Sequence, residues 1–185
     1  MGIGKIIYLN GVSGAGKTTL SKKLQQHLNE PFYLVSSDIF CSDMAPKRYW
    51  DGFEAVSLLL KTAKFYSEIG VNSIIDIVHI QDEEAVGKSD LFHEALKLLH
   101  DCPVLFVNVT CPTDELHRRK TERGDHDVDK WLKYQHDNFY PKETYDITVN
   151  THNNTSEECA DMIVKLLEAP EKLTTFKTHW ERYSS

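Results

Sequence analysis

The sequence predicts an α/β fold in which helices cover both faces of a parallel sheet of about five strands. Short apolar runs alternate along the chain with longer segments of helical periodicity, an order that is typical of this three-layer architecture. One run, residues 104–107, is apolar without interruption, as expected of a central strand that is buried on both faces. The length of 185 residues is enough for a single domain with a sizeable core.

The individual elements follow from these runs and from the spacing of apolar residues between them. The predicted strands cover residues 5–10, 32–36, 73–78, 104–109 and 145–149. A leucine recurs every fourth residue from Leu20 to Leu28, which predicts a first helix after Lys17. A similar apolar stripe predicts a second helix over residues 56–66. Four further helices are predicted over residues 90–100, 113–123, 128–139 and 156–168, the last with Ser156 as its N-cap.

The sequence contains no internal repeat and no linker composition that would divide the chain. We therefore expect a single domain over residues 1–169, which includes a lid around residues 118–130. Residues 170–185 form a polar and aromatic tail, for which there are two alternatives, a short docking helix and a frayed end.

The charge balance narrows the function. Lys and Arg number 21 against 28 Asp and Glu, a formal net charge of −7, which argues against a protein that binds nucleic acid or an anionic membrane through its overall field. The apolar run near the amino end is too short for a signal peptide or a membrane span, and the four cysteines show no C-x-x-C spacing. We expect a cytoplasmic protein with reduced cysteines, without a membrane or nucleic-acid partner. A small local anion site is compatible with this balance.

A glycine-rich segment lies directly between the first predicted strand and the first predicted helix and matches the pattern G-x-x-x-x-G-K-[ST]. With the adjacent threonine it comprises Gly11, Val12, Ser13, Gly14, Ala15, Gly16, Lys17, Thr18 and Thr19. In this context the backbone N–H groups and the positive end of the following helix bind phosphate oxygens. Lys17 is expected to contact the β- and γ-phosphates, and Thr18 to offer a hydroxyl to Mg²⁺. The sequence therefore predicts a phosphate-binding P-loop that takes ATP and Mg²⁺, and with it a P-loop NTPase fold.

Other parts of the sequence indicate which kind of P-loop protein this is. A GTPase would carry an N-K-x-D guanine reader and a D-x-x-G switch, and the sequence has neither. A motor or transporter ATPase would need a longer chain. The class that is left is a small kinase that moves the γ-phosphoryl group of ATP to a hydroxyl. Such an enzyme requires a carboxylate beside the acceptor and cations over the transferring phosphate.

Two aspartates lie at the ends of predicted strands, on the sheet edge that carries the P-loop. Asp38 follows the second strand, where its carboxylate could accept or orient the proton of an acceptor hydroxyl; the alternative is an N-cap for a helix over residues 39–44. Asp76 lies in the third strand and forms, with Thr18, the predicted Mg²⁺ site; the alternative is a capping or salt-bridged carboxylate without metal. His79 either faces the same cleft or is a hydrogen-bonded residue at its rim.

The segment between Asp38 and the second helix is expected to line the acceptor pocket. It mixes aromatic side chains with Lys47 and Arg48, which suits a planar or anionic acceptor. The alternative is that its aromatic side chains pack the segment onto the core.

Three arginines lie on the helix predicted after the fourth strand. Arg119 and Arg123 are four residues apart and share a helix face, with Arg118 beside them. A basic helix end that is followed by a glycine, Gly124, predicts a lid that folds over the triphosphate. For any one of the arginines the alternative is a solvated charged face.

Taken together, these motifs resemble those of the chloramphenicol phosphotransferase-like family of P-loop kinases. The resemblance covers roughly residues 6–167 and rests on the P-loop, Ser37-Asp38, Ile74-Ile75-Asp76, Cys111-Pro112, the arginines with Gly124-Asp125, Gln135 and Tyr145-Asp146. It implies ATP-dependent O-phosphorylation of a small-molecule hydroxyl. By matching position it also implies Asp38 as general base, Lys17 on the phosphates, and Arg119 and Arg123 as lid or nucleotide contacts.

Two positions differ from the family pattern and keep other functions open. His126 stands where a second arginine usually follows the Arg-Gly-Asp string, and Ile77 stands where the chloramphenicol enzyme has a second acid. A nucleotide-binding regulatory protein without transfer activity is therefore one alternative. A kinase that acts on a nucleotide or a nucleic-acid end is another, although the acidic charge balance weighs against a long polyanionic acceptor.

Overall fold

The computed structural model describes residues 2–40, 52–80, 90–139 and 144–184. Within them lie five strands, β1 (Ile6–Asn10), β2 (Phe32–Ser36), β3 (Asn72–Ile77), β4 (Val104–Thr110) and β5 (Ile147–Asn150). The strands form one parallel sheet in the order β2-β3-β1-β4-β5. The predicted α/β class with a five-stranded parallel sheet is confirmed.

The described residues also form helices that cover both faces of the sheet. They are α1 (Lys17–His27), α2 (Gly52–Glu68), α3 (Leu91–Leu99), α4 (Thr113–Glu122), α5 (Val128–Asn138), α6 (Ser156–Leu167) and α7 (Thr175–Tyr183). A short 3-10 turn, Pro170–Lys172, connects α6 to α7. None of the helices in this part of the chain is long and apolar enough to span a membrane.

The two faces of β1 show why this strand is apolar over most of its length. Ile6 and Tyr8 belong to a core with side chains of α2, α3 and α7, whereas Ile7 and Leu9 belong to a second core with side chains of α1 and α6. All four residues are completely buried. Because β1 lies between β3 and β4, its carboxyl end, where the P-loop begins, is flanked by the carboxyl ends of both neighbours. This arrangement places the P-loop at the centre of one sheet edge.

The predicted start of β5 was wrong by two residues. The strand begins at Ile147, although the backbone N–H of Asp146 already donates to the carbonyl of Phe106 at 2.9 Å. The hydroxyl of Tyr145 accepts a 2.9 Å hydrogen bond from the amide of Asn10. A carboxylate oxygen of Asp146 accepts the backbone N–H of Phe106 at 2.8 Å. These contacts attach the start of β5 to β1 and β4.

The predicted N-cap of α6 was also wrong, since Thr155 and not Ser156 occupies this position. The hydroxyl of Thr155 accepts the backbone N–H of Glu158 at 3.2 Å. The carboxylate of Glu158 accepts the backbone N–H of Thr155 at 2.8 Å. This reciprocal pair is a capping box, which satisfies two backbone donors at once.

The tail beyond residue 170 contains a docked helix, which was one of its two predicted alternatives. Phe176 of α7 is buried, and its ring lies 5.2 Å from the rings of both Tyr8 and Phe106. Trp180 stacks on His100 with ring centroids 4.7 Å apart. Helix α7 therefore contributes to the core on the side of the sheet that faces away from α1 and α6.

Candidate functional site

The P-loop connects β1 to α1 and has the backbone conformation that its glycines allow. Gly14 and Gly16 have φ angles of 89° and 93°, in the left-handed region that residues with a side chain rarely adopt. Gly16 is the N-cap of α1, and no side chain caps this helix end. A helix N-terminus without a side-chain cap leaves N–H groups that an anion can satisfy.

Lys17, Thr18 and Asp76 meet beside the P-loop. The ammonium group of Lys17 lies 3.7 Å from Oδ1 of Asp76 and donates a 2.8 Å hydrogen bond to the carbonyl of Gly11. The hydroxyl of Thr18 donates to Oδ2 of Asp76 at 2.8 Å. The sheet register explains the meeting, because Asp76 pairs with Leu9, two residues before the P-loop. The carboxyl end of β3 is thereby held against the first turn of α1.

The charges in this cluster are mostly hidden from water and depend on one another. Burial lowers the pKa of Lys17, and the charges of Asp76 and Asp38 oppose that change. Burial raises the pKa of Asp76, and Lys17 and Thr18 oppose it. The charge of each group therefore depends on the other, because burial alone would favour the neutral form of both.

Asp38 lies in a helical turn, residues 37–40, directly after β2. Its side chain is exposed and borders the same cleft as Lys17. The backbone N–H of Ile39 donates a 3.3 Å hydrogen bond to the hydroxyl oxygen of Ser36. Ser36 rather than Asp38 therefore caps this turn. Residues 41–44 of the alternative helix, and with them most of the predicted acceptor segment including Lys47 and Arg48, lie outside the described residues.

A cleft of about 970 Å³ runs along the P-loop at this edge of the sheet. Most of the predicted site residues line it, namely Ser13, Gly14, Gly16, Lys17, Thr18, Thr19, Asp38, Asp76, Arg119 and Arg123. The other P-loop residues do not. Gly11 and Ala15 are buried, and Val12 borders a separate, smaller and mostly apolar cavity beneath α5.

Two of the three predicted arginines border the cleft, and the third does not. Arg119 donates to the hydroxyl and the carbonyl of Thr151 at 3.0 and 2.9 Å. Arg123 is 56% exposed and bonded at 2.7 Å to the carboxylate of Asp125, and its charge contributes to the lowered pKa of Lys17. Arg118 instead pairs with two glutamates of its own helix, Glu115 and Glu122.

The carboxylate of Glu115 bonds both Arg118 and Arg119. It accepts hydrogen bonds from Arg118 and from Arg119, each at 2.7 to 2.8 Å. These bonds lower the pKa of Glu115 to about 2. The glutamate therefore stays ionised and helps to fix the direction of the Arg119 guanidinium.

Several residues hold the P-loop in place without having been predicted to do so, among them Gln135, which was noted only as part of the family resemblance. The side-chain amide oxygen of Gln135 accepts the backbone N–H of Ser13 at 2.9 Å. The hydroxyl of Thr151 donates to the carbonyl of Ala15 at 2.8 Å. Lys120, almost fully buried, donates to the hydroxyl of Ser13 at 3.4 Å. Thr151 follows β5 directly, so the rule that sites form at the carboxyl ends of parallel strands would have found it.

His79 does not face the cleft. It is 1% exposed, and its Nε2 atom is 2.5 Å from the hydroxyl of Tyr8. Its backbone N–H donates to the side-chain oxygen of Asn10 at 2.9 Å. Burial lowers the pKa of His79 to about 3. Of its two predicted alternatives, the hydrogen-bonded residue is the one present, but it lies in the core and not at the rim.

Comparison with known proteins gives the family context of this site. A family model described as chloramphenicol phosphotransferase-like protein matches residues 4–168. An adenylyl-sulfate kinase of Clostridium acetobutylicum is 26% identical over 175 residues, which cover 89% of this chain and 84% of that protein. A Mycobacterium tuberculosis protein provisionally named an O-phosphotransferase is 26% identical over 151 residues, 66% of this chain and 64% of that protein, so the chain spans less than two thirds of that relative.

A similar solved structure shows the same fold. It is the APS kinase of Mycobacterium tuberculosis in complex with AMPPNP and APS, with a TM-score of 0.67. The two chains are 16% identical, and the match covers 91% of this chain and 99% of the other. At this identity the likeness concerns the fold, which is that of a P-loop kinase.

Proposed function

Because this chain belongs to the chloramphenicol phosphotransferase-like family and is a kinase, we propose that it transfers the γ-phosphoryl group of ATP to a hydroxyl of a small molecule. The observation that carries the proposal is the meeting of Lys17, Asp76 and Asp38 on one cleft beside the P-loop. A phosphate-binding cation, a metal-binding carboxylate and a second, exposed carboxylate are the parts that this reaction needs.

The P-loop and Lys17 would hold the triphosphate. The ammonium group of Lys17 now lies between a P-loop carbonyl and Asp76, and a phosphate oxygen can take the place of the carbonyl. That the similar APS kinase was solved with AMPPNP, an ATP analogue, supports ATP as the phosphate donor. Arg119 is held over the far side of the P-loop by Thr151, where it would contact the nucleotide.

The residues present also fit a magnesium ion. Thr18 and Asp76 offer a hydroxyl and a carboxylate within 2.8 Å of each other, and Mg²⁺ prefers such oxygen ligands, together with water and phosphate. When bound, the ion would offset negative charge on the β- and γ-phosphates. The predicted MgATP dependence and cytoplasmic location stay predictions.

In the proposed transfer step, the oxygen of the acceptor hydroxyl bonds to the γ-phosphorus, and Asp38 accepts the proton that this hydroxyl loses. The bond between the γ-phosphorus and the bridging oxygen breaks, and ADP leaves with both electrons of that bond. Arg123, which is exposed in the cleft, would offset the charge of the transferring group.

Apolar side chains in the lining of the cleft support a small molecule with an apolar surface as the acceptor. Besides its charged residues the cleft is lined by Val78, directly beyond β3, and by Trp131 of α5. Trp131 is 51% exposed and meets Tyr134 edge to face at 5.9 Å. A flat apolar part of an alcohol can pack against such a ring.

The two positions that favoured a regulatory protein lie away from the cleft. Ile77 is buried in the core with Tyr8, so a second acid at this position would not face the phosphates. His126 is exposed and is not part of the cleft lining. Neither residue removes charge from the site, and we therefore prefer the transfer activity.

The test is ADP formation with a panel of hydroxylated metabolites and antibiotics. For the acceptor that reacts, we expect Asp38→Asn to lower the rate by about 100-fold or more while ATP affinity is kept. Lys17→Ala should lose both the transfer rate and the affinity for ATP. Asp101→Asn is the matched control, because this exposed carboxylate bonds Lys64 outside the cleft. A near-normal rate of the Asp38→Asn variant would refute the assignment of the base.

Two other outcomes would favour the alternatives. Tight ATP binding without turnover on any acceptor would indicate a nucleotide-binding regulatory protein. Transfer of phosphate to the end of an oligonucleotide, in preference to every small alcohol, would indicate a nucleic-acid kinase.

A further inference from the structure

An apolar stripe that has no role in the proposed reaction runs along the outer face of α2 and ends at Ile69, the residue directly after the helix, whose backbone N–H still donates to the carbonyl of Phe65. Leu58, Phe65 and Ile69 are 52%, 56% and 45% exposed, and their spacing of seven and four residues places them on one side of the helix. Thr62, which is partly buried, lies between them. Apolar side chains that line up in this way on a surface indicate an interaction site rather than random exposure. We call these four residues the α2 stripe.

Aromatic residues widen the α2 stripe on the side of the edge strand β2. Tyr33 of β2 is 56% exposed, and its ring lies 5.8 Å from that of Tyr66. The ring of Tyr66 in turn lies 6.5 Å from that of Phe65. Tyrosine and phenylalanine are enriched in the centres of protein interfaces, so the surface has the composition of a docking site.

The opposite flank of the α2 stripe is charged. Glu54, Lys61 and Glu68 follow one another at intervals of seven residues and are all exposed. Glu68 lies 3.8 Å from Lys64 of its own helix. Lys61 has no ion-pair partner among the residues that the structure describes. The flank thus presents a cation between two anions along the helix.

We propose that a second copy of this chain packs on the α2 stripe, with the two α2 helices antiparallel about a two-fold axis. An interface of this symmetry must be complementary to itself, and the stripe meets this requirement. With the axis midway between Thr62 and Phe65, these two residues face each other across the interface. Leu58 then faces Ile69 of the second copy, so that large side chains cover both ends.

The charges agree with this register. In an antiparallel pair the charged flank of one helix lies along the charged flank of the other. With the axis midway between Thr62 and Phe65, Lys61 lies level with residue 66 of the second copy. Glu68 of that copy is two residues further along its helix, an offset of about 3 Å at 1.5 Å per residue. Two symmetric ion pairs then form, and each uses the lysine that has no partner among the described residues of a single chain. A parallel two-fold pairing would instead set the charged flank of each helix along the aromatic flank of the other, where the charges find no opposite partner.

The first experiment measures the mass of the 185-residue chain by sedimentation over a wide concentration range. We expect association toward twice the chain mass of 21.3 kDa and a monomer for Phe65→Glu. Met162→Glu is the matched control, because Met162 is 41% exposed on α6, away from α2, and this variant should associate like the wild type. A wild type that stays monomeric throughout, or a Phe65→Glu variant that still dimerises, would overturn the proposal.

The second experiment tests the antiparallel register by exchanging the charges. Lys61→Glu alone sets carboxylates opposite each other and should weaken the dimer roughly tenfold, because two symmetric pairs are lost. Adding Glu68→Lys restores opposite charges and should recover most of the affinity. A double variant no tighter than Lys61→Glu would refute this register. Neither experiment involves phosphate transfer, so the result is independent of the proposed function.

Discussion

The hydroxyl of Thr18 donates a 2.8 Å hydrogen bond to Oδ2 of Asp76, and this contact joins the first turn of α1 to the end of β3. It brings together the hydroxyl and the carboxylate that would bind the proposed magnesium ion. The contact fixes the direction of the Asp76 carboxylate while its other oxygen lies near Lys17.

Replacing Thr18 by valine keeps the shape of the side chain but removes the hydroxyl. We expect the ATP affinity gained on adding Mg²⁺ to fall about tenfold, because one ligand is lost and Asp76 loses its hydrogen bond. The affinity for ATP without Mg²⁺ should change little. Titration calorimetry of ATP with and without Mg²⁺ measures both values, and Thr18→Ser should retain the magnesium effect. An unchanged magnesium effect in Thr18→Val would exclude Thr18 from the metal site.

The three neighbouring arginines allow a comparison within one helix end. Arg123→Ala should lower the transfer rate about 100-fold and leave ADP affinity nearly intact, because the charge it offsets develops during transfer. Arg119→Ala should lower the affinity for both ATP and ADP, since the guanidinium of Arg119 lies beside the P-loop and Thr151. Steady-state rates and ADP titrations separate the two effects.

Arg118→Ala is the control for both variants, because Arg118 bonds only glutamates of its own helix among the described residues and does not line the cleft. We expect it to be active. If Arg118→Ala were as impaired as Arg123→Ala, the loss would reflect helix stability and not the cleft.

The contact between Gln135 and the P-loop predicts a selective loss of nucleotide binding. Gln135→Leu leaves the backbone N–H of Ser13 without its acceptor, which costs about 1–3 kcal/mol where water cannot replace it. We expect nucleotide affinity to fall roughly tenfold. Gln25→Leu removes a comparable side-chain bond, to the carbonyl of Phe32, away from the cleft. It should lower stability but leave nucleotide affinity unchanged.

The buried imidazole of His79 predicts an acid-sensitive stability. Its folded-state pKa of about 3 lies below the ordinary value of 6.5, so below pH 6.5 the unfolded chain binds a proton that the folded chain does not. The free energy of unfolding should therefore fall as the pH drops from 6.5 toward 5, by up to about 1.4 kcal/mol per pH unit from this residue. Urea unfolding across this range measures the slope.

The slope should largely disappear in His79→Gln, although this variant is less stable at neutral pH because the Tyr8 hydroxyl loses a close partner. Phe92→Leu is the control, since Phe92 packs 5.2 Å from the His79 ring and does not titrate. It should lower stability at every pH and keep the slope. Equal slopes in wild type and His79→Gln would rule out His79 as the acid-sensitive group.

The strand segments and the P-loop could be predicted because both depend on local patterns, whereas the order of the strands in the sheet was not predicted. The uninterrupted apolar run of β4 and the glycines between β1 and α1 have few other structural solutions. The orientation of His79 could also have been found, because Ile75 and Ile77 face the core and side chains alternate along an extended segment. The N-cap of α6 was recognisable from Glu158, three residues after Thr155.

The positions of Gln135 and Trp131 at the cleft could not be predicted. Both lie on α5, and which face of a helix meets the P-loop depends on how the helix packs in three dimensions. Nor does the sequence show that the adjacent Arg118 and Arg119 have different surroundings, Arg118 in ion pairs on the helix surface and Arg119 at the cleft. That division depends on the position of Glu115 and Thr151 around them.

The central place of β1 links nucleotide binding to the folding of the chain. Ile6 pairs with Ser73 on one side and with Val104 on the other, so the strand that precedes the P-loop acquires its neighbours only through contacts that are distant in sequence. Such pairings close long loops and form slowly. A ligand that binds only the completed sheet stabilises it by mass action. Saturating nucleotide should therefore raise the free energy of unfolding of the whole sheet, and a substitution that loosens β1, β3 or β4 should weaken nucleotide binding without touching the cleft.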